Sequence, residues 1–396
     1  MNSSKTKQRV MFFHAQFPSG GGERVTRDIA KSIQGSGYES YVVTCQKNEG
    51  IYPEVTLIEL QNKKLQSIEN ADAIIELIRS LSIDIFVLPG FLWNHLEYVK
   101  KHVECKFIYI LHNIPLWEIV AKVERRKRFH GSLLRMLEWY FLAYPKIKWL
   151  KTYDRKYMQS YKSTYDLVDA YVVLCEKYKD EMMRLFNLSE SGKFVVINNA
   201  EKIVDNTRFS KKKQLLFVGN MTYENKRVDR LLKIWELIYK KVPDWELILV
   251  GGGEEEQNLR EQSSTMQLER VLFVGGSQDV ESYYQSAAVF CLTSTFEGWP
   301  LCLTEAQAHG VVPVAFNCCA GVEEILSPSG VNGILIPPFD INAFADNLYK
   351  LLTSPEKIDL MRKNVIAKSN DYSLDIIGNK WIHLFDSLND YSCDKF

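Results

Sequence analysis

Thr293-Ser294-Thr295-Phe296-Glu297-Gly298-Trp299-Pro300-Leu301-Cys302-Leu303-Thr304-Glu305-Ala306 is the stretch on which the reading turns. It follows the apolar run 288–292, turns at Gly298, and enters a segment of helical period at 300–309. The pattern predicts a buried strand, an irregular turn and a helix with Pro300 near its first position. Backbone N–H groups from about Leu301 to Leu303 would then lack partners and form an anion site at the helix start. Glu297 precedes that site and Glu305 follows it on the second turn. The two carboxylates can accept hydroxyls on opposite sides of a bound diphosphate.

Outward from this unit the alternation of short apolar runs and helical-period segments repeats, as in a parallel sheet of βαβ units. Before it, strands are expected at 215–218, 245–250 and 271–274; after it, at 311–316 and 333–336. Helices are expected at 227–240, 254–263, 280–286 and 341–352. An earlier series has strands at 10–14, 41–44, 55–60, 83–88, 106–111, 170–174 and 194–197, with helices 23–34 and 68–80 among them. Two series predict two Rossmann-like doubly wound α/β domains. The chain is 396 residues, long for one core. The polar stretch from Glu201 to Gln214 reads as their linker, giving domains 1–203 and 204–372. A last amphipathic helix, 373–396, carries a stripe of Leu374, Ile377, Trp381, Leu384 and Leu388, and is expected to return to the first domain.

Composition excludes several classes. Lys plus Arg equals Asp plus Glu at 49 each, which disfavours nucleic-acid binding by the chain as a whole. The eight cysteines, at 45, 105, 175, 291, 302, 318, 319 and 393, show no CxxC spacing and read as buried thiols in a reducing compartment. No run approaches the ~20 apolar residues that span a bilayer. The expectation is a cytoplasmic protein, peripheral on the inner face of the membrane if it touches one.

Ligands of open parallel sheets bind beyond the carboxyl ends of the strands. The unusual residues fall there: Ser19-Gly20-Gly21-Gly22, His112-Asn113, Gly219-Asn220, Gly251-Gly252-Gly253, Gly275-Gly276 and 293–298. Both domains would thus aim glycine-rich edges at one cleft. Gly20–Gly22, running into a helix near Glu23, suits a diphosphate or a tight turn. The spacing is not GxGxxG and no acidic residue closes a second strand, so a nicotinamide dinucleotide is disfavoured.

Glu297 and Glu305, with seven residues between, resemble the donor motif of family-four retaining glycosyltransferases of the GT-B fold. Other blocks resemble that family in order: Gly20–Val25, Val196–Ala200, Phe217–Asn220 with Lys226–Leu232, Val250–Gly253, Phe273–Gly275 and Ala308–Val314. The resemblance implies a nucleotide-diphosphate sugar donor, carrying UDP or GDP, and a glycan or lipid-linked glycan acceptor. It implies that Glu305 holds the ribose and Glu297 a sugar hydroxyl. Gly298, Trp299, Pro300 and Leu301 would line the donor, with backbone amides near Trp299–Leu301 holding the distal phosphate, and Lys226 would neutralise the diphosphate. His112 resembles a position near the reacting carbon. Gly219, Gly275 and the first glycine loop would line the site. Asn220 stands where the family often has Arg, so Arg227 or Arg230 would supply the second cation. The family implies no metal cofactor, and the sequence has no Asp-x-Asp triplet. A nucleotide-sugar epimerase of the same shape and a non-catalytic sugar-nucleotide sensor are the alternatives.

One segment breaks the charge balance. From Lys122 to Lys162 there are twelve basic and three acidic residues, a local charge of about +9. Arg125-Arg126-Lys127-Arg128 precedes Leu133, Leu134, Met136, Leu137, Trp139, Tyr140, Phe141 and Leu142, then Trp149 and Tyr153. Basic residues beside an aromatic-rich helix suit an anionic membrane surface; the other reading is core packing with a solvated basic rim.

Overall fold

The computed structural model describes residues 7–18, 20–127, 132–148, 152–205 and 210–390. Ser19, Arg128, Trp149, Asn206 and Cys393, and the side chain of Tyr153, lie outside the described residues.

In chain order the elements are β1 (Gln8–Phe17), α1 (Gly21–Ile33), β2 (Tyr38–Lys47), β3 (Thr56–Glu59), α2 (Ile68–Ser80), β4 (Ile85–Pro89), α3 (Leu96–His102) and β5 (Lys106–Leu111). Then come α4 (Trp117–Arg126), α5 (Leu133–Glu138), a π-helical turn (Trp139–Ala143), α6 (Tyr144–Lys148), α7 (Thr152–Leu167), β6 (Ala170–Val173), α8 (Glu176–Phe186) and β7 (Phe194–Val196). The second series is β8 (Lys212–Val218), α9 (Val228–Ile238), β9 (Glu246–Val250), α10 (Glu256–Thr265), β10 (Val271–Gly275), α11 (Glu281–Ser286) and β11 (Ala287–Leu292). It continues through α12 (Leu301–Ala308), β12 (Val312–Phe316), α13 (Ala320–Leu326), β13 (Ile334–Ile336), α14 (Ile341–Leu352), α15 (Pro355–Ser369) and α16 (Leu374–Asp390).

The chain forms two compact units, one of Met1–Pro115, Arg155–Ala200 and Leu374–Phe396, the other of Leu116–Asp154 and Glu201–Ser373. The first holds a seven-stranded parallel sheet in the order β3-β2-β1-β4-β5-β6-β7. Its central strands are buried on both faces, which is why Val10–Phe13 and Ile85–Leu88 read as unbroken apolar runs. α16 packs on α1, with Ile377, Trp381, Leu384 and Phe385 buried. Gly378 faces Ser32 so closely that a Cβ there would lie 2.5 Å from the Ser32 Cβ. Tyr38 donates to Asp386, and Asn389 Nδ2 to Gln8 Oε1 at 2.8 Å.

The second unit holds a six-stranded parallel sheet, β10-β9-β8-β11-β12-β13. Its core is organised around Trp235, fully buried on α9, whose Nε1 donates to the Glu269 carbonyl at 3.0 Å. Three expectations are corrected. The stretch 116–154 groups with this unit rather than the first, because Arg125 Nε reaches Glu224 Oε1 at 3.0 Å and Arg227 Nη1 lies 3.8 Å from Glu124 Oε2. Glu201 is no linker residue: it is buried, its N–H donates to the Tyr372 carbonyl at 2.7 Å, and its Oε2 accepts from Thr304 Oγ1 at 3.1 Å. Lys212–Gln214 already belong to β8, and Lys211 Nζ donates to the Tyr284 carbonyl at 2.7 Å.

Candidate functional site

Each sheet reverses strand order once, between β1 and β4 and between β8 and β11. Loops leaving those strand pairs must diverge to opposite faces, which opens a crevice at their carboxyl ends. In the second unit the crevice is framed by the loop 219–227 after β8 and the loop 293–300 after β11.

Backbone and hydroxyl bonds zip these two loops together. Thr295 N–H donates to the Asn225 carbonyl at 2.7 Å, and Thr293 Oγ1 to the Arg227 carbonyl at 3.0 Å. Arg230 Nη1 donates to the Thr293 carbonyl at 3.1 Å. Across this seam Lys226 Nζ meets Glu297 Oε1 at 2.7 Å, and Ser294 Oγ donates to the same oxygen at 2.7 Å. Burial works against the Lys226 charge, yet the Glu297 carboxylate outweighs it and holds the ammonium above the usual lysine range. The lysine stem lies over Gly219, where a Cβ would sit 3.5 Å from Lys226 Cε.

The glycines beneath are required by close backbone approach. Gly251 has φ +119°, and a Cβ on it would stand 2.1 Å from the Gly219 carbonyl oxygen. Gly253, at φ +143°, would meet Asn220 Oδ1 at 2.3 Å. Gly275, at φ +77°, accepts from Gly251 N–H at 2.8 Å. Asn220 is exposed at this edge.

α12 starts one residue later than its spacing suggests. Pro300 is the extended N-cap, and Leu303 N–H already donates to the Pro300 carbonyl at 2.9 Å. The run of unpaired amides at the helix start is therefore shorter than the expected Leu301–Leu303. Gly298 and Trp299 are buried, and the Trp299 ring meets Tyr372 edge-on at 5.0 Å, so this turn is fixed by packing. Glu305, on the second turn, accepts from Tyr284 Oη at 2.6 Å. Burial and then the Glu305 charge raise the Tyr284 phenol well above its usual range, so it stays a donor.

The structure separates the two arginines proposed as the second cation. Arg227 adopts φ +49°, and its fork is committed to Asp229 at 2.8 and 3.0 Å. Arg230 has no carboxylate within ion-pair distance among the described residues; it lies over the Phe339 ring at 4.2 Å. Burial and neighbouring Arg227 lower its guanidinium to about 10.

In the first unit the β1/β4 crevice carries Gly20, Gly21, Gly22 and His112. α1 begins at Gly21, two residues earlier than expected, and Gly20 N–H donates to Glu23 Oε2 at 2.9 Å. The glycines thus form the first turn of a capped helix, with one of their amides already engaged. His112 is wedged against Gly90 (φ +87°), where a Cβ would lie 3.2 Å from its Cδ2, and near Gly22. Both His112 nitrogens are buried without a hydrogen-bond partner among the described residues. Burial lowers His112 to about 4, so the ring is a neutral imidazole. His14, lowered to about 3 by burial and then by His112, shares a 2.9 Å hydrogen bond with Thr26 Oγ1. Sequence reasoning missed His14, Gly90, Tyr284 and Asn225, and singled out Ser294 only as part of the 293–298 stretch. Only Gly90, directly after an apolar strand, carried a local signal.

Residues 19–200 match the family described as Glycosyltransferase Family 4, and residues 198–368 match Glycosyl transferases group 1. A Haemophilus influenzae protein described as an uncharacterized glycosyltransferase is 28% identical over 387 residues, covering 94% of this chain and 99% of that protein. The amylovoran biosynthesis glycosyltransferase of Erwinia amylovora is 31% identical over 229 residues, 55% of this chain and 62% of that one. Among solved structures, a Staphylococcus aureus TarM variant in complex with fondaparinux, alpha-GlcNAc-glycerol and UDP superposes with a TM-score of 0.71 at 13% identity. It covers 96% of this chain and 100% of that one, a likeness of fold.

Proposed function

Because this chain belongs to the glycosyltransferases of the GT-B fold, built from a Family 4 half and a group 1 half, we propose that it is a retaining hexosyltransferase. Its donor is a UDP- or GDP-sugar, and its acceptor a glycan or lipid-linked glycan of polysaccharide or glycoconjugate biosynthesis. The observation that carries this reading is the Lys226–Glu297 pair held across the β8/β11 crevice, with Glu305 positioned by Tyr284 on the same helix start. An ammonium poised on one carboxylate can turn to a diphosphate when one arrives. The carboxylate is then released to accept a sugar hydroxyl, and Glu305 accepts from the ribose.

In the step proposed, the bond from the anomeric carbon to the phosphate oxygen breaks and the acceptor oxygen bonds the same face. The acceptor proton passes to the departing phosphate. Lys226 and the amides at the start of α12 meet the negative charge that builds there, fixed before reaction. Arg230, with no carboxylate in ion-pair distance among the described residues, suits the second phosphate better than Arg227. His112 offers an acceptor hydroxyl a neutral imidazole with no hydrogen-bond partner among the described residues. No metal enters this scheme.

The acceptor is assigned to the membrane surface, on its cytoplasmic face. Leu133, Leu134, Tyr140, Phe141 and Leu142 of α5 and the π-helical turn are all more than half exposed, beside the basic residues of α4. No helix among the described residues is long and apolar enough to cross a bilayer, so peripheral attachment is the form proposed.

A thermal-shift panel of nucleotide sugars, followed by nucleoside diphosphate release with and without acceptor extracts, tests the reading. A UDP- or GDP-sugar should raise the midpoint, and release should depend on acceptor. Release without any acceptor would favour an epimerase, and no response to any nucleotide sugar would overturn the assignment.

A further inference from the structure

Between the last turn of α4 and the α5–π-helical segment lies a small cavity of 200 Å³ lined by Arg125, Arg126, Arg135, Glu138, Trp139 and Ala143. Three arginines and one glutamate line it, a local excess of positive charge. Arg125 Nε donates to Glu224 Oε1 at 3.0 Å, and Glu224 is not part of the cavity lining. Arg126 and Arg135 have no acidic partner among the described residues. Trp139 is buried and lines the cavity. The volume is below the ~300–1,000 Å³ of a cofactor-sized pocket, so a sugar nucleotide does not fit it. Planar guanidinium forks match phosphate oxygens, which accept two parallel N–H bonds from each.

The surroundings say what carries the phosphate. Leu133, Leu134, Leu137, Phe141 and Leu142 stand exposed on the same short segment that contributes Arg135 and Trp139. A free anion would leave these side chains in water, whereas a phosphate attached to acyl or prenyl chain would cover them. We propose that this cavity is a phosphoryl subsite for a membrane lipid, binding the headgroup through Arg125, Arg126 and Arg135 while the apolar segment enters the interface. The proposal deepens the membrane-surface reading above and rests on it. It differs by placing recognition in one cavity, where that reading needs only diffuse charge.

The test uses the full chain and sedimentation with phosphatidylcholine vesicles doped either with phosphatidic acid or, to equal surface charge, with oleate. The wild type should prefer the phosphatidic acid vesicles. Arg126→Gln/Arg135→Gln should weaken that binding by about fivefold per arginine and erase the preference. Arg126→Lys/Arg135→Lys keeps the charge but loses the forks, and should also lose the preference. Arg155→Gln/Lys156→Gln removes equal charge elsewhere in the basic stretch and should leave the preference intact. Equal binding to both vesicle types, or equal effects from the two neutralised pairs, would overturn the site in favour of diffuse attraction. Competition by inorganic phosphate as strong as by the vesicles would overturn the lipid as its source. Nucleotide-sugar thermal shifts of the same variants report separately on the transferase assignment and should match wild type.

Discussion

Glu297→Gln should make the protein bind nucleoside diphosphate more tightly while it transfers sugar more slowly. At the observed 2.7 Å, with an effective dielectric of about 20, the gross attraction between Lys226 and Glu297 is about 6 kcal/mol. Much of that is offset by taking both charges out of water, since the two side chains are only 17% and 9% exposed. Removing the carboxylate alone strands the ammonium, at a cost of about 3 kcal/mol to the empty protein. Glutamine preserves shape and can still bond Ser294, so the change is one of charge. A diphosphate then meets a lysine without a competitor, and we expect UDP affinity to rise about tenfold, or 1.4 kcal/mol. Turnover should fall about a hundredfold, because the sugar hydroxyl loses its acceptor in the transition state. Urea unfolding with and without UDP, together with calorimetric titration, reads both quantities. Lys226→Met/Glu297→Gln should recover stability relative to Glu297→Gln and lose the gain in affinity. If Glu297→Gln binds UDP no more tightly than wild type and unfolds at the same urea concentration, the ion pair is not the resting state of the donor site.

Acidification should destabilise the first unit. The neutral His112 imidazole has a folded value of about 4 against an ordinary 6.5, so its contribution is complete above 6.5 and fades as pH falls towards 4. Between pH 8 and pH 5 it should cost about 2 kcal/mol, with His14 acting in the same direction, and His112→Gln should flatten the pH dependence of the urea midpoint. Gly251→Ala should cost at least about 2 kcal/mol and abolish the UDP thermal shift, because its Cβ would meet the Gly219 carbonyl at 2.1 Å with φ at +119°. A stable, UDP-responsive Gly251→Ala would show that the β8 and β9 edges can part. Tyr284→Phe should raise the donor KM with little change in kcat, since Tyr284 acts only by positioning Glu305; an equal fall in kcat would place it in the chemistry. Activity should survive EDTA, and loss restored by manganese would remove the metal-free scheme.

The sheets were legible because strands buried on both faces leave continuous apolar runs, and helices such as Ile68–Ser80 keep their stripe at 3.6-residue spacing. The loops at strand ends were legible through glycine, whose backbone freedom Gly251 and Gly253 use for close approach. Charge pairing was not. Lys226 and Glu297 stand 71 residues apart and Arg125 and Glu224 stand 99 apart, and neither pair leaves a local pattern. For the same reason Glu201 read as a solvated linker residue, although Thr304 and Tyr372 enclose it. The early start of α1 was hidden because glycine at a helix N-terminus carries the same sequence signal as a glycine turn.

The return of α16 to α1 sets a timetable for synthesis. The first unit is begun by β1 but closed by Ile377, Trp381, Leu384 and Phe385, side chains translated after the whole second unit. Until the ribosome has released α16, the apolar face of α1 around Ser32 has no cover, whereas Glu201–Ser373 can collapse on their own core as they emerge. The usual order of maturation, first segment first, is therefore reversed. A stop codon just before Leu374 would leave the second unit whole and yet leave the half that was made first without the helix that covers α1.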